Sequence, residues 1–500
     1  MIFATTLILF LSSVVLLALY SRYNRSTRLI KKIPGPKAWP IIGNSLNYVL
    51  PPDKLFKYQR SLPKIYGDVN QIHGLNLSFV HISNPKDIEK ILSSSEYNYK
   101  VFPYTYLSAW LGEGLLLSNG EKWHQRRKML TKSFHFNILK KFLLTFVDET
   151  ENVVKQIEQE IGKTKTDLFP LMSKATLRVM CETAMGISVQ EHGIISKVDT
   201  YFKSIDIIGD TFAKRFARGW LYFEKVFNLT SIKKIQDQAV SALHKFTNTV
   251  IKERRQHLTK SLNQFDDNAD KCETNEKLAM LDLLLENEKS GKIDVDGIRE
   301  EVDTFMFEGH DTTAVALTYM IMVLANEPDV QDKIYEEMRK IFGDSDRLPT
   351  MDDLNEMKYL ECCIKESLRL YPSVALIMRC LTKDTVLGGY TVPAGAYTFI
   401  CIYDVHRRAD IYPDPERFIP ERFLPENCVQ RSPYAFIPFS AGIRNCIGQK
   451  FALLEMKVMM SRILRKFRLE PVSKPSDMVY KTDIVVRTTH PIYAKFCIRK

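Results

Sequence analysis

The chain has 500 residues, of which 45% are hydrophobic and 26% are charged. This balance excludes an intrinsically disordered chain and leaves enough apolar residues for a large core. The formal net charge of +11 comes from scattered Lys and Arg without a strip of basic and aromatic residues, which argues against nucleic acid and favours a membrane surface or an acidic protein partner.

The first segment is a predicted membrane anchor. Residues 2–20 contain no charged side chain and are rich in Leu, Ile, Val and Phe, and ~20 apolar residues suffice to cross a bilayer core. A cleavable signal peptide is the alternative, but it usually begins with basic residues. Here the basic residues follow the apolar segment, at Arg22, Arg25, Arg28, Lys31 and Lys32. Because basic flanks stay in the cytosol, we expect residues 1–21 to anchor a chain that faces the cytosol.

Residues 22–43 form a predicted hinge that is basic at first and then rich in proline and glycine. Pro34, Gly35 and Pro36 cannot continue a helix. Residues 44–500 then form one predicted catalytic domain. The nine cysteines are odd in number and irregularly spaced, which is not typical of a disulfide framework and agrees with a reducing cytosol.

The first predicted elements of the domain are a β-hairpin and a helix. Apolar residues alternate between residues 66 and 82 and are interrupted by Gly74, which indicates two strands with a turn. Asn84 and Pro85 are typical of a helix start, and that helix is predicted to run to Leu92.

The middle of the chain is mostly helical in pattern, and strands return near the end. Residues 334–342 place their apolar side chains on one helix face. A second hairpin is predicted over residues 386–403 with its turn at 393–395, and another strand over residues 484–486. The predicted fold is therefore mainly α with a small β-sheet region.

The most informative segment is the cysteine loop, residues 439–448, with the sequence F-S-A-G-I-R-N-C-I-G. Glycine lets the backbone approach a flat ligand and supports the turn that aims the sulfur of Cys446. A thiolate beneath a heme favours O–O cleavage on the opposite face, and backbone N–H groups after Cys446 would hydrogen-bond the sulfur. Arg444 suits a heme propionate. The alternative is a buried structural cysteine in a glycine-containing turn.

The cysteine loop resembles the heme-binding signature of the cytochrome P450 superfamily, F-x-x-G-x-R-x-C-x-G, at every fixed position. The resemblance covers nearly the whole chain and implies the cytochrome P450 fold, with an N-terminal transmembrane helix. It also implies a heme b cofactor whose iron takes Cys446 as its axial ligand. The other signature residues that would contact heme are Phe439, Gly442, Arg444 and Gly448.

Glu366 and Arg369 lie three residues apart in a helical pattern, where their charges can pair. Alone, E-x-x-R is equally typical of a solvated helix face, and an exposed pair adds little stability. Ahead of the cysteine loop it resembles the E-x-x-R motif of the superfamily, which stabilises the heme-side core together with an arginine resembling Arg422. The resemblance therefore implies a structural role for these three residues.

The sequence W-H-Q-R-R that begins at Trp123 resembles the W-x-x-x-R pattern of the superfamily. That pattern implies an indole N–H and a guanidinium, here from Trp123 and Arg127, directed at a heme propionate. Arg379 stands where family members often place another propionate contact, and a surface arginine is the alternative. His124 and Arg126 are predicted to lie on the surface.

Residues 301–313, E-V-D-T-F-M-F-E-G-H-D-T-T, run into an apolar stretch and predict a long buried helix. Polar groups in such a helix cost stability unless a function needs them. Reduction of O2 with insertion of one oxygen consumes two protons, which Asp311 and Thr312 would relay through ordered water. Gly309 would make room for the oxygen molecule. Asp311 and Thr312 resemble the acid–alcohol pair of the superfamily.

Residues 301–313 as a whole resemble the helix signature of the family-4 branch, whose members hydroxylate fatty acids or related lipids near the chain end. In that branch a glutamate at the position of Glu308 forms an ester with a heme methyl group, so the resemblance implies such a link here. A buried, hydrogen-bonded carboxyl group is the alternative. Apolar segments at residues 115–117, 374–378 and 484–486 fall where this family lines its pocket, although each also fits a core.

The resemblance implies a monooxygenase that inserts one oxygen atom from O2 into a C–H bond of a lipophilic substrate, with a fatty acid as the expected one. The chain shows no flavin or nicotinamide site, so electrons would come from NADPH through cytochrome P450 reductase, with cytochrome b5 as a further candidate partner. The domain would face the cytosol from the endoplasmic reticulum membrane. Two alternatives remain, namely a reductase-independent isomerase or dehydratase of lipid peroxides, and a heme sensor without turnover.

Overall fold

The computed structural model describes residues 24–74, 77–189, 194–265 and 279–499, together with residues 3, 5, 6, 9 and 12. Most of the predicted anchor, residues 1–21, lies outside the described residues. Among the residues that are described, no helix combines the length and the apolar composition needed to cross a bilayer.

Helices dominate the described part of the chain, which confirms the predicted mainly α fold. In chain order they are α1 (Arg25–Ile30), α2 (Ser45–Tyr48), α3 (Pro52–Tyr66), α4 (Pro85–Leu92), α5 (Ser108–Leu111), α6 (Gly120–Thr131), α7 (Phe136–Glu158), α8 (Leu168–Thr183), α9 (Ile195–Ala217), α10 (Glu224–Asn228), α11 (Ser231–Phe265), α12 (Met280–Lys289), α13 (Val295–Ala325), α14 (Pro328–Phe342), α15 (Met351–Glu356), α16 (Lys358–Leu370), α17 (Ile402–Val405), α18 (Pro425–Cys428) and α19 (Gln449–Lys466).

The strands are short and concentrate near the two ends of the domain. They are β1 (Val69–Gly74), β2 (Leu77–Ile82), β3 (Thr166–Asp167), β4 (Ile377–Cys380), β5 (Thr385–Leu387), β6 (Tyr390–Val392), β7 (Tyr397–Ile400), β8 (Phe467–Pro471), β9 (Tyr480–Lys481), β10 (Arg487–Thr488) and β11 (Tyr493–Ile498). A four-stranded sheet has the order β1-β2-β7-β4, and a three-stranded sheet the order β3-β11-β8.

The first predicted hairpin is present as the antiparallel pair β1–β2, with Val69 opposite Ile82. The helix predicted after it is α4, and the side chain of Asn84 caps it by accepting a hydrogen bond from the Asp87 N–H at 2.8 Å. Strand β7 joins the sheet parallel to β2, and β4 pairs antiparallel with β7 so that Arg379 lies opposite Thr398. The sheet thereby fixes the position of Arg379.

The second predicted hairpin is wrong in its extent and in the turn that closes it, although residues 393–395 do form a turn, in which the Ala396 N–H donates to the carbonyl of Pro393 at 3.2 Å. The hairpin is β5–β6, and its turn consists of Gly388 and Gly389, which both have positive φ, +55° and +84°. Two such residues match the twist of the flanking strands, so the chain turns before residues 393–395. Strand β7 then leaves the hairpin for the four-stranded sheet. Residues 484–486 are not a strand and form the tip between β9 and β10.

Part of the predicted hinge is folded onto the domain. Ile30 and Ile33 are buried, and the Gln71 N–H donates to the carbonyl of Pro34 at 2.9 Å. A Cβ at Gly35 would lie 2.3 Å from the carbonyl oxygen of Gln71. This segment therefore packs against β1.

Helix α13 crosses the core and has 31 residues, most of them buried. Residues 314–325 of this helix are almost all apolar and are buried on all sides. The side chain of Asp294 caps the helix start by accepting from the Gly297 N–H at 2.7 Å. A Cβ at Gly309 would lie 2.4 Å from the sulfur of Met180 in α8. The glycine therefore lets two helices approach each other. It also lines the cavity described below, so its role of making room for oxygen stays a prediction.

Candidate active site

A cavity of about 350 Å³ lies between α13, the cysteine loop and the tip of the β9–β10 hairpin. Its volume falls in the range of ~300–1,000 Å³ that is usual for small-molecule sites. The predicted site residues that line it are Trp123, Arg127, Glu308, Thr312, Phe439, Arg444, Cys446 and Gly448, and the predicted apolar walls contribute residues 115–116, 374–378 and 484–486. Predicted residues that do not line it are Leu117, Asp311, Glu366, Arg369, Arg379, Arg422 and Gly442.

The cysteine loop is folded so that Cys446 faces this cavity. The Cys446 N–H donates to the carbonyl of Phe439 at 2.9 Å, and the Gly448 N–H donates to the sulfur. Gly442 has a φ of +71°, and a Cβ there would lie 1.8 Å from the carbonyl oxygen of Leu92 in α4. The turn and the contact with α4 therefore require glycine at this position, which confirms the predicted role in the turn.

Burial raises the pKa of the Cys446 thiol to about 11. Glu308 adds to the increase, whereas the Gly448 N–H, Arg127 and Lys100 oppose it. The side chain is exposed, but its exposed surface faces the interior cavity, so burial still dominates. By itself the thiol is protonated at neutral pH, and a metal cation that binds the sulfur displaces this proton.

Four basic side chains act on one another at one side of the cavity, namely Lys100, Arg127, Arg379 and Arg444. Burial, Arg379, Arg444 and Arg127 all lower the pKa of Lys100, and only Glu308 raises it. Burial and the two neighbouring arginines lower the pKa of Arg444 to about 9. Like charges in a buried site are costly until an anion binds between them. This basic cluster therefore fits a ligand with two carboxylates, as the two propionates of heme provide.

Arg444 shows directly that an acceptor is needed. Its guanidinium lies over the ring of Trp123 at 4.3 Å, and Nη2 donates to the carbonyl of Ser118 at 2.7 Å. Its Nε and Nη1 are buried and have no acceptor among the residues that the structure describes. Because buried N–H groups are nearly always hydrogen-bonded, these two nitrogens support a bound carboxylate beside Trp123.

The other members of the basic cluster are fixed by the protein. Arg127 donates from Nη1 and Nη2 to the carbonyl and side-chain oxygens of Asn445, at 2.9 and 2.8 Å, and so ties α6 to the cysteine loop. Arg379 is buried in β4 and donates to the carbonyl of Met378 at 2.9 Å. Sequence reasoning missed Lys100, because it is a single lysine in a loop and no spacing pattern connects it to the arginines.

Glu308 and Thr312 line the cavity one turn apart on α13. Burial raises the pKa of Glu308, and Lys100 and Arg127 oppose this shift. The hydroxyl of Thr312 donates to the backbone carbonyl of Glu308 at 2.6 Å. A carboxyl group and a hydroxyl group therefore stand on the same helix face toward the cavity.

Asp311 has different surroundings from Thr312. Its carboxylate is buried, and Arg487 Nη2 lies 2.8 and 2.9 Å from its two oxygens. The predicted relay partners are adjacent in the chain, but only Thr312 lines the cavity. Sequence reasoning missed Arg487, which is 176 residues away in the chain and belongs to no motif.

Glu366, Arg369 and Arg422 meet away from the cavity. Arg369 donates from Nε and Nη2 to the two oxygens of Glu366 at 2.7 and 2.8 Å, and both side chains are 0% exposed. Arg422 Nε lies 3.4 Å from Glu366 Oε1. The remaining N–H groups of Arg369 donate to the backbone carbonyls of His406, Pro415 and Arg417.

His406 connects this ion pair to the cysteine loop. Burial, Arg369 and Arg407 lower the pKa of His406 to about 3, so the imidazole is neutral. Its Nε2 accepts a hydrogen bond from the Ile437 N–H at 2.9 Å, two residues before the cysteine loop. Sequence reasoning missed this contact, because a lone histidine gives no signal of its partner.

The expectation for the two residues after Trp123 is half correct. His124 is exposed, but Arg126 is buried, with Nη1 3.8 Å from Glu301 Oε1. Glu301 in turn accepts from the Leu115 N–H at 3.0 Å. Arg126 therefore faces α13 because a buried carboxylate lies there, and the W-x-x-x-R spacing could not reveal this partner.

Comparison with known proteins gives one consistent result. The family model described as Cytochrome P450 matches residues 33–496. Cytochrome P450 4c3 of Drosophila melanogaster is 40% identical over 99% of this chain and 94% of its own length. Cytochrome P450 4c21 of Blattella germanica is 40% identical over 97% and 98%, and cytochrome P450 4V2 of Mus musculus is 37% identical over 95% and 91%.

Proposed function

We propose that this chain, which belongs to the cytochrome P450 family and is a heme-binding monooxygenase, acts on a fatty acid. The proposed reaction is hydroxylation near the end of the carbon chain. Two findings support this substrate class. The similar relatives are numbered in family 4, and residues 301–313 resemble the helix signature of that branch. The cavity adds a physical reason.

The observation that carries the proposal is the composition of the cavity wall. Apolar side chains surround the space in front of Cys446, and they come from α9, α13, the β9–β10 tip and the loops before α6 and β4. Such a wall favours hydrocarbon over polar substrates, because burial of apolar surface drives binding. Wall residues of this kind are Leu115, Leu116, Phe212, Phe216, Phe307, Val374, Leu376, Ile484 and Val486.

The residues of the site have separate tasks in this reaction. Heme bound at Cys446 supplies the iron that activates oxygen. The Gly448 N–H stabilises the charge of the Cys446 thiolate, and the basic cluster pairs with carboxylates. The Thr312 hydroxyl holds a proton at the cavity wall, and the apolar side chains exclude water from the substrate.

The substrate class can be tested with lipids matched in chain length. We expect the enzyme, supplied with NADPH and cytochrome P450 reductase, to convert a fatty acid to a hydroxy acid that carries one oxygen atom from 18O2. Products are identified by mass spectrometry after incubation with a fatty acid, the alkane of equal length and a sterol. Oxidation of the sterol without any fatty acid product would contradict the proposed substrate and leave the family assignment intact.

Electron delivery by a reductase separates this function from its main alternative. We propose NADPH–cytochrome P450 reductase as the partner, with cytochrome b5 as a second donor, because the chain carries a net charge of +11 that favours acidic partners. A lipid peroxide consumed equally fast with and without reductase would instead indicate an isomerase or dehydratase. Ligand binding without any turnover would indicate a heme sensor.

We propose further that Glu308 forms an ester with a heme methyl group. Glu308 lines the cavity and stands where the family-4 branch carries this link. Such a link would replace a methyl C–H bond and the carboxyl O–H bond with one C–O bond, and the two electrons and two protons released would reduce one oxygen atom, activated from O2 in turnover, to water. A covalent bond at the heme edge would make the site more rigid, which helps it hold the terminal methyl group of the substrate in position for oxidation.

Acid extraction of active enzyme provides the test of the ester. We expect part of the heme to stay with the wild-type protein and all of it to be released from Glu308→Ala, with the porphyrin identified by mass spectrometry. Glu301→Gln is the matched control, because Glu301 is a buried glutamate of the same helix that does not line the cavity. Release of only unmodified heme from active wild-type enzyme would disprove the link.

We also propose that residues 1–21 anchor the chain in the endoplasmic reticulum membrane, with the domain facing the cytosol. Exposed apolar side chains in two segments, residues 39–48 and residues 216–229, support a membrane-facing surface. The two segments are neighbours, because the ring of Tyr48 contacts the ring of Phe216. These side chains are Trp39, Ile42, Leu46, Trp220, Phe223 and Leu229. Release of the full chain from microsomes by alkaline carbonate would contradict the anchor.

A further inference from the structure

Arg487 is a buried cation that three carboxylates share. Its Nη2 lies 2.8 Å from Asp311 Oδ1 and 3.9 Å from Asp206 Oδ1, and its Nε lies 3.6 Å from Asp483 Oδ2. Asp311 and Asp483 are 3% exposed, whereas Asp206 on α9 is 59% exposed. Burial lowers the pKa of Arg487. The three carboxylates raise it by more than burial lowers it, so the pKa lies above its usual value.

The groups around Arg487 come from four elements and carry an excess of negative charge. Helix α13 contributes Asp311 and the buried His310, and α9 contributes Asp206 and Asp210. The ring of Phe169 in α8 lies 4.8 Å from the guanidinium. Lys481 of β9 lies 3.4 Å from Asp210 and 3.6 Å from Asp483. Among the described residues, four carboxylates thus face two cations, and the ion pairs of Lys481 are with Asp210 and Asp483, whereas Asp311 pairs with Arg487.

The segment just before Arg487 lines the cavity. Residues 484–486 form part of its apolar wall, and the Val486 N–H donates to the carbonyl of Ser373 at 2.8 Å. The Ser373 hydroxyl donates to the carbonyl of Thr312 at 2.7 Å. The wall is therefore connected to Asp311 through Arg487 and to Thr312 through Ser373.

We propose that Arg487 is a positioning residue for oxygen activation, which orients the Asp311 carboxylate and couples it to the cavity wall at residues 484–486. A substrate that packs against this wall then acts on both members of the Asp311–Thr312 pair. Asp206, whose side chain is exposed, connects Arg487 and Asp311 to the solvent. The proposal concerns proton supply and holds for whichever lipid the enzyme hydroxylates.

Removal of the cation has a defined consequence for Asp311. Without Arg487 the Asp311 carboxylate loses both charge-assisted hydrogen bonds that the guanidinium donates, so nothing fixes its orientation toward the proton path. Proton transfer then becomes slower than the reduction of oxygen. More of the NADPH is consumed in forming hydrogen peroxide, and less in forming product. A general acid–base group contributes ~100-fold or more, so we expect Arg487→Met to lower the product formed per NADPH about tenfold or more.

The test is a double-mutant cycle on holoenzyme that shows the ferrous–CO spectrum of thiolate ligation. Product per NADPH is measured against pH for wild type, Arg487→Met, Arg487→Lys, Asp311→Asn and Arg487→Met/Asp311→Asn. The pH dependence of product per NADPH in Arg487→Met should resemble that of Asp311→Asn, and Arg487→Lys, which keeps a positive charge, should restore it in part. Because Arg487 acts through Asp311, the double variant should be no worse than Asp311→Asn.

Arg254→Met is the matched control, because the Arg254–Asp282 pair has the same exposures, 11% and 3%, as Arg487–Asp311 and lies outside the cavity wall. It should cost comparable stability without changing the product per NADPH. Additive losses in the cycle, or wild-type coupling in Arg487→Met, would overturn the proposal. If Arg487→Met fails to assemble with heme, the cycle of Arg487→Lys with Asp311→Asn decides by the same criterion.

Discussion

Replacement of Cys446 with serine is expected to abolish the ferrous–CO absorption band of thiolate-ligated heme and, with it, monooxygenase activity. Among the described residues that line the cavity, Cys446 is the one cysteine, so no second thiolate can take its place. Loss of a group that only supports a metal ligand typically costs ~10–100-fold, and loss of the ligand itself should exceed this. Cys446→His would replace the sulfur ligand with a nitrogen ligand, which lacks the electron donation that favours O–O cleavage.

A matched substitution separates ligation from general damage. Cys497 is a half-buried cysteine of β11 outside the cavity wall, and Cys497→Ser should retain the absorption band and the turnover rate. Circular dichroism and heme content show whether Cys446→Ser is folded. Persistence of the thiolate-type band in folded Cys446→Ser would exclude Cys446 as the ligand.

The features that the sequence predicted well are those encoded by nearby residues. The spacing within the cysteine loop predicted that Cys446 and Arg444 belong to one site, and both line the cavity. Hairpin β1–β2 and helix α4 followed from alternation and from the Asn84 cap. In each case the interacting groups lie within a few residues of each other. A local pattern is then sufficient, because the backbone geometry of one turn or one hairpin sets the contact.

The features that the sequence did not reveal depend on contacts between distant segments. Arg487 reaches Asp311 across 176 residues, and Lys100 meets Arg444 only in the folded cavity. The turn role predicted for Gly442 is confirmed by its positive φ, but the atoms that a Cβ at Gly309 or Gly442 would meet belong to Met180 and Leu92, which no local pattern names. Periodicity reports which face of an element is buried, and it carries no information on the partner.

Arg369→Lys is expected to destabilise the folded holoprotein almost as much as Arg369→Ala. The five N–H groups of the arginine are all used, two on Glu366 and the others on the carbonyls of His406, Pro415 and Arg417. Lysine offers three donors at a single point and cannot reproduce this planar arrangement. Breaking a buried pair costs ~3–5 kcal/mol, a large part of the ~5–15 kcal/mol that stabilises a typical domain.

The loss should appear first at the heme, because Arg369 holds the carbonyl of His406 and the His406 ring holds the Ile437 N–H just before the cysteine loop. Urea unfolding followed by the ferrous–CO band and by circular dichroism measures both events. Asp296→Asn removes another i,i+3 ion pair, Arg299–Asp296, whose side chains are 33% and 77% exposed, and should change stability by no more than ~0.5 kcal/mol. If the urea midpoint of Arg369→Lys equalled that of wild type, the planar arrangement of five N–H donors would be dispensable. Positive charge alone would then stabilise this part of the core.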